Sequence, residues 1–308
     1  MSALTGPARA RADRFAALSR EPFDTVSSRS GGLARNWKSL REILRRRELL
    51  VLLIRRDLKA RYKDSALGFV WSLIRPLTQF AIYYLVVGQI LSASRGIPDF
   101  AVFVFSGLTL YGLFSETIGG ATSSIIANSG LIKKVQLPRE IFPLASVGSG
   151  LFNFGIQLIV LIIASLLLGG LDLGWHLLYA PAAIVVVLLY ATAFGIFLSA
   201  VNVFLRDVQY LIELALMVLM WASPIVYSWT MVHNLLGNSP LLEIYTDNPL
   251  TLAVLAFQRA FRAVGIAGVE YPAHLEWRLL VAAVIAVILI VGAQRIFARL
   301  EGNFAQEL

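Results

Sequence analysis

Six apolar stretches, residues 69–91, 100–123, 144–168, 177–205, 210–229 and 279–298, each reach the ~20 residues that a helix needs to cross a bilayer. Nothing else in the chain limits its fold as strongly, because in lipid every backbone amide must find its partner inside the protein. The composition agrees: 57% of the 308 residues are hydrophobic and 15% charged, with a mean hydropathy of +0.72. An all-α membrane protein with six transmembrane helices is expected. The fourth stretch is longer than a straight span requires, which tilting accommodates.

Charge placement orients the chain. Sixteen Lys and Arg precede the first stretch, Lys133, Lys134 and Arg139 lie between the second and third, Arg206 between the fourth and fifth, and Arg295 and Arg299 near the end, which makes 22 of the 27. The opposite side holds Arg95, Arg259, Arg262 and Arg278, and Arg75 sits inside the first stretch. By the positive-inside rule both the N- and C-termini are expected in the cytosol. Residues 248–261 are apolar for only about a dozen positions and include Gln258 and Arg259. They are too short for a seventh span and read as a re-entrant or interfacial helix on the outer side.

Residues 1–35 are rich in Ala, Arg and Ser and have no continuous apolar run; a disordered cytosolic tail is expected, not a secretory signal. Residues 36–63 then set Trp37, Leu40, Ile43 and Leu44 at helical spacing against Lys38, Arg41, Arg45 and Arg46. Such a basic amphipathic helix lies along the inner leaflet, each cation contributing on the order of 1 kcal/mol near anionic headgroups. Topology thus accounts for the net charge of +8 without nucleic acid as a partner.

Conventional catalytic patterns are missing. The chain has no cysteine, and His176, His233 and His274 share no ligand spacing, so loop or interface histidines are expected. There is no GxxxxGK[ST] phosphate loop, GxSxG elbow or HExxH helix, so no catalytic site, cofactor or metal is expected on this chain. What the spans do carry is polar stripes. Ser72, Arg75, Gln79 and Tyr83 share one helix face, as do Thr109, Gly112, Glu116 and Gly120, and Ser146, Gly150, Asn153 and Gln157. Small residues on such a face serve helix packing or line a pathway. Arg75 and Glu116 each lie roughly 10 Å in from the cytosolic end at 1.5 Å per residue, where they pair with each other or Arg75 snorkels; Glu213 falls near the same level. In the loop 128–143, Leu131, Ile132, Val135 and Leu137 punctuate a basic stretch, as in a surface turn or a short helix docked in a partner groove.

Five segments in order, DLKARYKDSALGFVWSLIRPL (57–77), NSGLIKKVQLPREIFPL (128–144), SPIVYS (223–228), TDNPLT (246–251) and the terminal EGNFAQEL (301–308), resemble the ABC-2 type permeases that export lipid-linked polysaccharides, the Wzm and TagG type. The resemblance implies a bacterial inner-membrane homodimer joined to two copies of a separate ATPase that binds ATP and Mg. It implies a transmembrane domain at 67–308, an interfacial gate helix at 36–66, a coupling helix at about 128–143 and an outer re-entrant region at about 231–265.

By the same resemblance the substrate is a polyprenyl-pyrophosphate-linked glycan of the galactan, teichoic-acid or O-antigen kind. Its headgroup is met by Arg45, Arg46, Arg47, Arg55 and Arg56, since Arg pairs phosphate oxygens bidentately. The pathway is expected at Trp71, Arg75, Gln79, Tyr83 and Glu116, and ATPase coupling at Lys133, Lys134, Pro138, Arg139 and Glu140. Aromatic pore lining of the family's kind is available at Tyr84, Tyr111, Phe114, Trp221 and Tyr227 besides Trp71 and Tyr83. A drug or lipid exporter of the ABC-2 class and a membrane assembly protein without transport are the alternatives.

Overall fold

Helices and turns make up the described chain, with no strand among the described residues, which in this computed structural model are 47–62, 70–90, 99–135, 137–168, 174–237, 239–261 and 271–308. All of them belong to the unit Ser39–Leu308; the unit Met1–Lys38, including the tail expected at 1–35, lies outside them. In chain order the helices are α1 Arg47–Tyr62, α2 Val70–Ile82 with a π-helical continuation Tyr83–Ile90, α3 Phe100–Ala127, and the single turn α4 Ser129–Ile132. Next come α5 Ile141–Leu167, a 3₁₀ turn Trp175–Leu178 leading into α6 Tyr179–Phe204, and α7 Val208–Trp221. Three short helices, α8 Trp229–Leu236, α9 Pro240–Thr246 and α10 Pro249–Ala260, precede α11 Leu275–Leu300, a 3₁₀ turn Glu301–Asn303 and α12 Phe304–Glu307.

Four of these, α3, α5, α6 with its leading turn, and α11, are long and apolar enough to cross a membrane. The other two expected spans take other forms. α2 and its continuation together cover residues 70–90. α7 has 14 residues, about 21 Å of helix at 1.5 Å per residue against a hydrocarbon core of ~30 Å. It ends at Trp221, not at 229 as the hydropathy suggests, because Ser223 and Pro224 turn the chain, with the Ile225 N–H donating to the Ser223 carbonyl at 2.8 Å.

α3 runs through the middle of the bundle, buried along most of its length against α5, α6 and α10. It carries many hydroxyls for so dry a position, and several bond back to its own carbonyls: Ser106 to Phe103 at 2.8 Å, Thr122 to Ile118 at 2.8 Å and Ser124 to Ala121 at 2.7 Å. Small residues let the neighbours close in. A Cβ placed on Gly150 of α5 would stand 2.7 Å from the Thr117 Oγ1, and one on Gly195 of α6 would stand 2.8 Å from the Ala121 Cβ. Gly120 faces Ser146 in the same way, at 3.4 Å. The small-residue stripes read from the sequence thus pack α3 against α5.

α10 fills the other side of α3. Pro249 and the Asn248 side chain, which accepts from the Leu250 N–H at 3.0 Å, start it cleanly. Nearly all of its residues are buried against α3, α6 and α11, but its 12 residues extend only about 18 Å. Gln258 explains why a polar residue belongs there: its Nε2 donates to the Pro224 carbonyl at 2.9 Å and the Phe103 carbonyl at 3.4 Å, clamping the turn after α7 to the start of α3. Gln258→Leu strands the Pro224 carbonyl in an apolar setting, while the Phe103 carbonyl keeps its bond from the Ser106 hydroxyl; at a cost of about 1–3 kcal/mol, the thermal midpoint of the purified chain should fall by several degrees.

Around α8 and α9 the ties are polar. The Trp229 Nε1 donates to the Thr246 Oγ1 at 3.0 Å, and Arg278 of α11 pairs with Glu243 and Asp247. Burial pushes the Tyr245 hydroxyl well above its usual range, and it donates to the Tyr227 hydroxyl at 3.3 Å. Of the three histidines, His274 is exposed and His233 half-buried against the Trp229 ring, but His176 is buried, unlike the loop position expected for it. It sits in the 3₁₀ turn that opens α6.

At the opposite end α1 lies against α5. Leu53 is buried there, with Leu49, Leu50 and Ile54 beside it, while Val51 and Leu52 are exposed. A Cβ on Gly148 would fall 2.3 Å from the Ile54 Cδ1, so the glycine is what lets α1 sit this close.

Candidate functional site

The polar stripes of α2, α3 and α5 converge on one cavity of about 710 Å³, lined by Trp71, Ser72, Arg75, Pro76 and Gln79 from α2, Gly112, Ser115 and Glu116 from α3, and Asn153, Ile156 and Gln157 from α5. Arg61, from the last turn of α1, reaches into it as well. The antiparallel crossing of α3 and α5 is responsible. Along the seam Gly120 meets Ser146, Thr117 meets Gly150, Glu116 meets Asn153 and Gly112 meets Gln157. Where the facing residues are small the helices touch; toward Asn153 and Gln157 the amide side chains border open space.

Glu116 is the polar centre of the cavity. Its Oε1 accepts from the Asn153 Nδ2 at 2.6 Å and from the Arg61 Nη1, with which it forms an ion pair. The sequence left Arg75 either as that partner or snorkelling to the inner headgroups. Arg75 instead lines the same cavity, exposed and without a carboxylate in ion-pair range among the described residues. Arg61 takes the place because α1, packed on α5, delivers its last turn to the cavity mouth. Two guanidinium groups and one carboxylate therefore share the space, leaving one cationic charge for an anionic guest. Glu213 is exposed on α7 and does not line this cavity.

Tyr83 leaves the stripe on which the sequence put it. Regular helical spacing holds through Gln79, but from Tyr83 the helix widens into π geometry, whose i→i+5 bonding rotates each following side chain out of register. Tyr83 packs beside Phe100, Phe103 and Val104. The other aromatic candidates also disperse. Tyr84 stacks on Phe80, the Tyr111 hydroxyl donates to the Leu216 carbonyl at 2.7 Å, and Phe114 is buried by a small cavity shared with Tyr190 and Phe194. Trp221 is exposed on α7, and the Tyr227 hydroxyl donates to its carbonyl at 2.8 Å. Trp71 alone of the set borders the polar cavity.

Among the headgroup candidates, Arg45 and Arg46 lie outside the described residues, and Arg47 and Arg55 are exposed on α1. Arg56 is engaged: its Nη2 pairs with Asp57 and donates to the Asn128 Oδ1, each at 2.7 Å, which ties α1 to the end of α3. In the segment expected as a coupling helix, the described residues form no continuous helix: the turn α4 spans Ser129–Ile132, and helix resumes at Ile141 with the start of α5. Leu131, Ile132 and Leu137 turn into the protein, whereas Lys133, Lys134 and Val135 are exposed. Pro138 and Arg139 are half-buried, and Glu140 is buried. Arg139 and Glu140 are thus directed toward their own chain.

A second large cavity, about 600 Å³, is an apolar groove between the starts of α6 and α11, with Trp175, Leu178, Val185 and Leu280 among its lining residues. At its rim Arg259 lies over the rings of Trp175, Tyr179 and Tyr271, 4.5 to 5.5 Å from their centroids, and 3.9 Å from Glu276. That guanidinium is already occupied. Among the described residues no group of three or more His, Asp or Glu side chains is placed to hold a metal ion.

Residues 48–261 match the model of a family described as ABC-2 type transporter. Over 269 residues the chain is 28% identical to an O-antigen export system permease protein RfbA of Myxococcus xanthus, covering 87% of this chain and 98% of that relative. It is 30% identical over 263 residues to a protein of the same name from Klebsiella pneumoniae, covering 85% and 95%.

Proposed function

Since the chain belongs to the ABC-2 type transporter family, we propose that it is the membrane subunit of an ATP-driven exporter that moves a polyprenyl-pyrophosphate-linked polysaccharide across the bacterial inner membrane. The observation that carries this reading is the cavity between α2, α3 and α5. It sets Arg61 and Arg75 around a single carboxylate, and it is bordered by amides and by Trp71, whose ring suits a sugar face. An ion inside a membrane domain is costly and marks a pathway by default. The relatives are named as export permeases for O-antigen, which points to the same class of cargo.

Both termini face the cytosol in this proposal, following the charge asymmetry. A second copy of the chain completes the pathway. Glu213 on α7 supports this, since it is exposed on a helix that buries only Leu216, and a carboxylate facing lipid alone is costly. An ATPase on a separate chain binds ATP and Mg, and it docks on the loop carrying Lys133, Lys134 and Val135. Lys133→Glu combined with Lys134→Glu should then cut co-purification of the two subunits by about tenfold, since two exposed charge contacts at roughly 0.5–1 kcal/mol each together reach the ~1.4 kcal/mol that makes a factor of ten.

Depletion of the protein in its own bacterium tests the proposal. A polyprenyl-linked glycan should accumulate on the cytosolic side, detectable in the extracted lipid pool. An unchanged pool of such intermediates under full depletion would contradict it.

A further inference from the structure

The C-terminal motif EGNFAQEL has no part in the cavity, yet Phe304 and Leu308 anchor it in the chain. Phe304 is fully buried. Its ring meets Phe297 of α11 edge-on at 5.5 Å and Phe204 of α6 at 6.0 Å, and Leu308 packs on the same cluster. On another side it carries Arg139, whose guanidinium carbon lies 5.6 Å from the ring centroid. The Arg139 Nη1 also donates to the Glu301 carbonyl, and its Nε is 4.0 Å from the Glu301 carboxylate.

These contacts have a common logic. The Glu301 carbonyl lies at the C-terminal end of α11, where the helix dipole favours a cation, and besides accepting from the Phe304 N–H it has a second lone pair for Arg139. An aromatic face beside it adds a second attraction for the same guanidinium. Arg139 is therefore gripped by the end of the chain. It sits five residues after Lys134 and two before α5 begins, so it fixes the outgoing arm of the loop whose exposed tip is Lys133, Lys134 and Val135.

We propose that residues 301–308 form a latch that sets the pose of this loop for its partner, with Phe304 and Arg139 as positioning residues and the C-terminus as a structural part of the docking surface. The partner surface that fits the tip is an apolar socket with an acidic rim. The inference rests on the ATPase-docking reading given above.

The absence of cysteine gives a clean probe, because Val135→Cys introduces a single thiol for a nitroxide label. In full-length chain reconstituted in nanodiscs, Phe304→Ala and, separately, Arg139→Gln should raise the mobility of that label. With the ATPase added, both should lower permease-dependent ATP hydrolysis by about fivefold or more, the range of ordinary coupling between sites. Arg139→Lys, which keeps the charge, should retain part of it. Arg139 is only half-buried, so its variants keep the test open if Phe304→Ala does not fold. Unchanged label mobility in Arg139→Gln overturns the latch. Raised mobility with full coupling, while the Lys133→Glu and Lys134→Glu pair abolishes coupling, overturns the positioning role and leaves docking intact. If that lysine pair also has no effect, the docking reading fails and takes the latch with it.

Discussion

Glu116→Ala should lower substrate-stimulated ATP hydrolysis by the assembled transporter about tenfold or more while the chain still accumulates in the membrane. Removing the carboxylate leaves Arg61 and Arg75 facing each other across one cavity with no anion between them, and takes from Asn153 its acceptor. An interaction of only ~1.4 kcal/mol, lost from the productive state, is a factor of ten. Glu116 is not fully enclosed, with a quarter of its side chain exposed, so the loss falls on the pathway more than on folding. Charge exchange sharpens the result. Arg61→Glu together with Glu116→Arg should recover part of the activity that either single change removes, a coupling that substitutions at unconnected sites do not show. Equal and additive losses would mean that the pair has no common task.

Gly195→Leu should abolish accumulation of the folded chain. Even the first added carbon would stand 2.8 Å from the Cβ of Ala121, a fully buried atom fixed to the backbone of α3. No rotamer change relieves that contact, so α3 and α6 must separate. Overpacking by one small group costs about 1–3 kcal/mol, and a leucine adds three more carbons to the same seam. Gly155 on α5 is the internal comparison, because nothing lies within 4 Å of a Cβ there. Gly155→Ala should leave the thermal midpoint unchanged or raise it, as expected when helix propensity alone is altered, by up to about 1 kcal/mol.

The polar stripes were legible because helical spacing alone places Ser72, Arg75 and Gln79 on one face, and the faces of α3 and α5 follow the same rule. Sequence spacing could also group them without naming their partners. Which cation meets Glu116 depends on where α1 docks, and that depends on Ile54 nesting against Gly148, a contact between residues far apart in the chain. Arg61 was one of sixteen basic residues before the first span, with nothing local to single it out. Tyr83 was misplaced for a different reason, since a change from α to π geometry shifts the register that the stripe assumes.

Hydropathy likewise marked the apolar core of α7 but not its end. The stop at Trp221 is made by Pro224 and completed from α10 by Gln258. Conversely, the polar residues that ruled out a span at 248–261 are the ones that anchor that segment, Gln258 to the turn after α7 and Arg259 within its three rings. The terminal motif was visible as a pattern, but its use depends on Phe304 reaching Arg139, 165 positions earlier in numbering.

The central claim is tested most directly in proteoliposomes that hold the chain with an ABC ATPase, ATP and Mg, and a defined polyprenyl-pyrophosphate-linked glycan. The glycan should appear on the side away from the ATPase only with hydrolysable ATP, and Arg75→Ala should slow its appearance while the two subunits remain associated. ATP hydrolysis that proceeds with no movement of the glycan, and with an unrelated drug or a bare lipid carried instead, would contradict it.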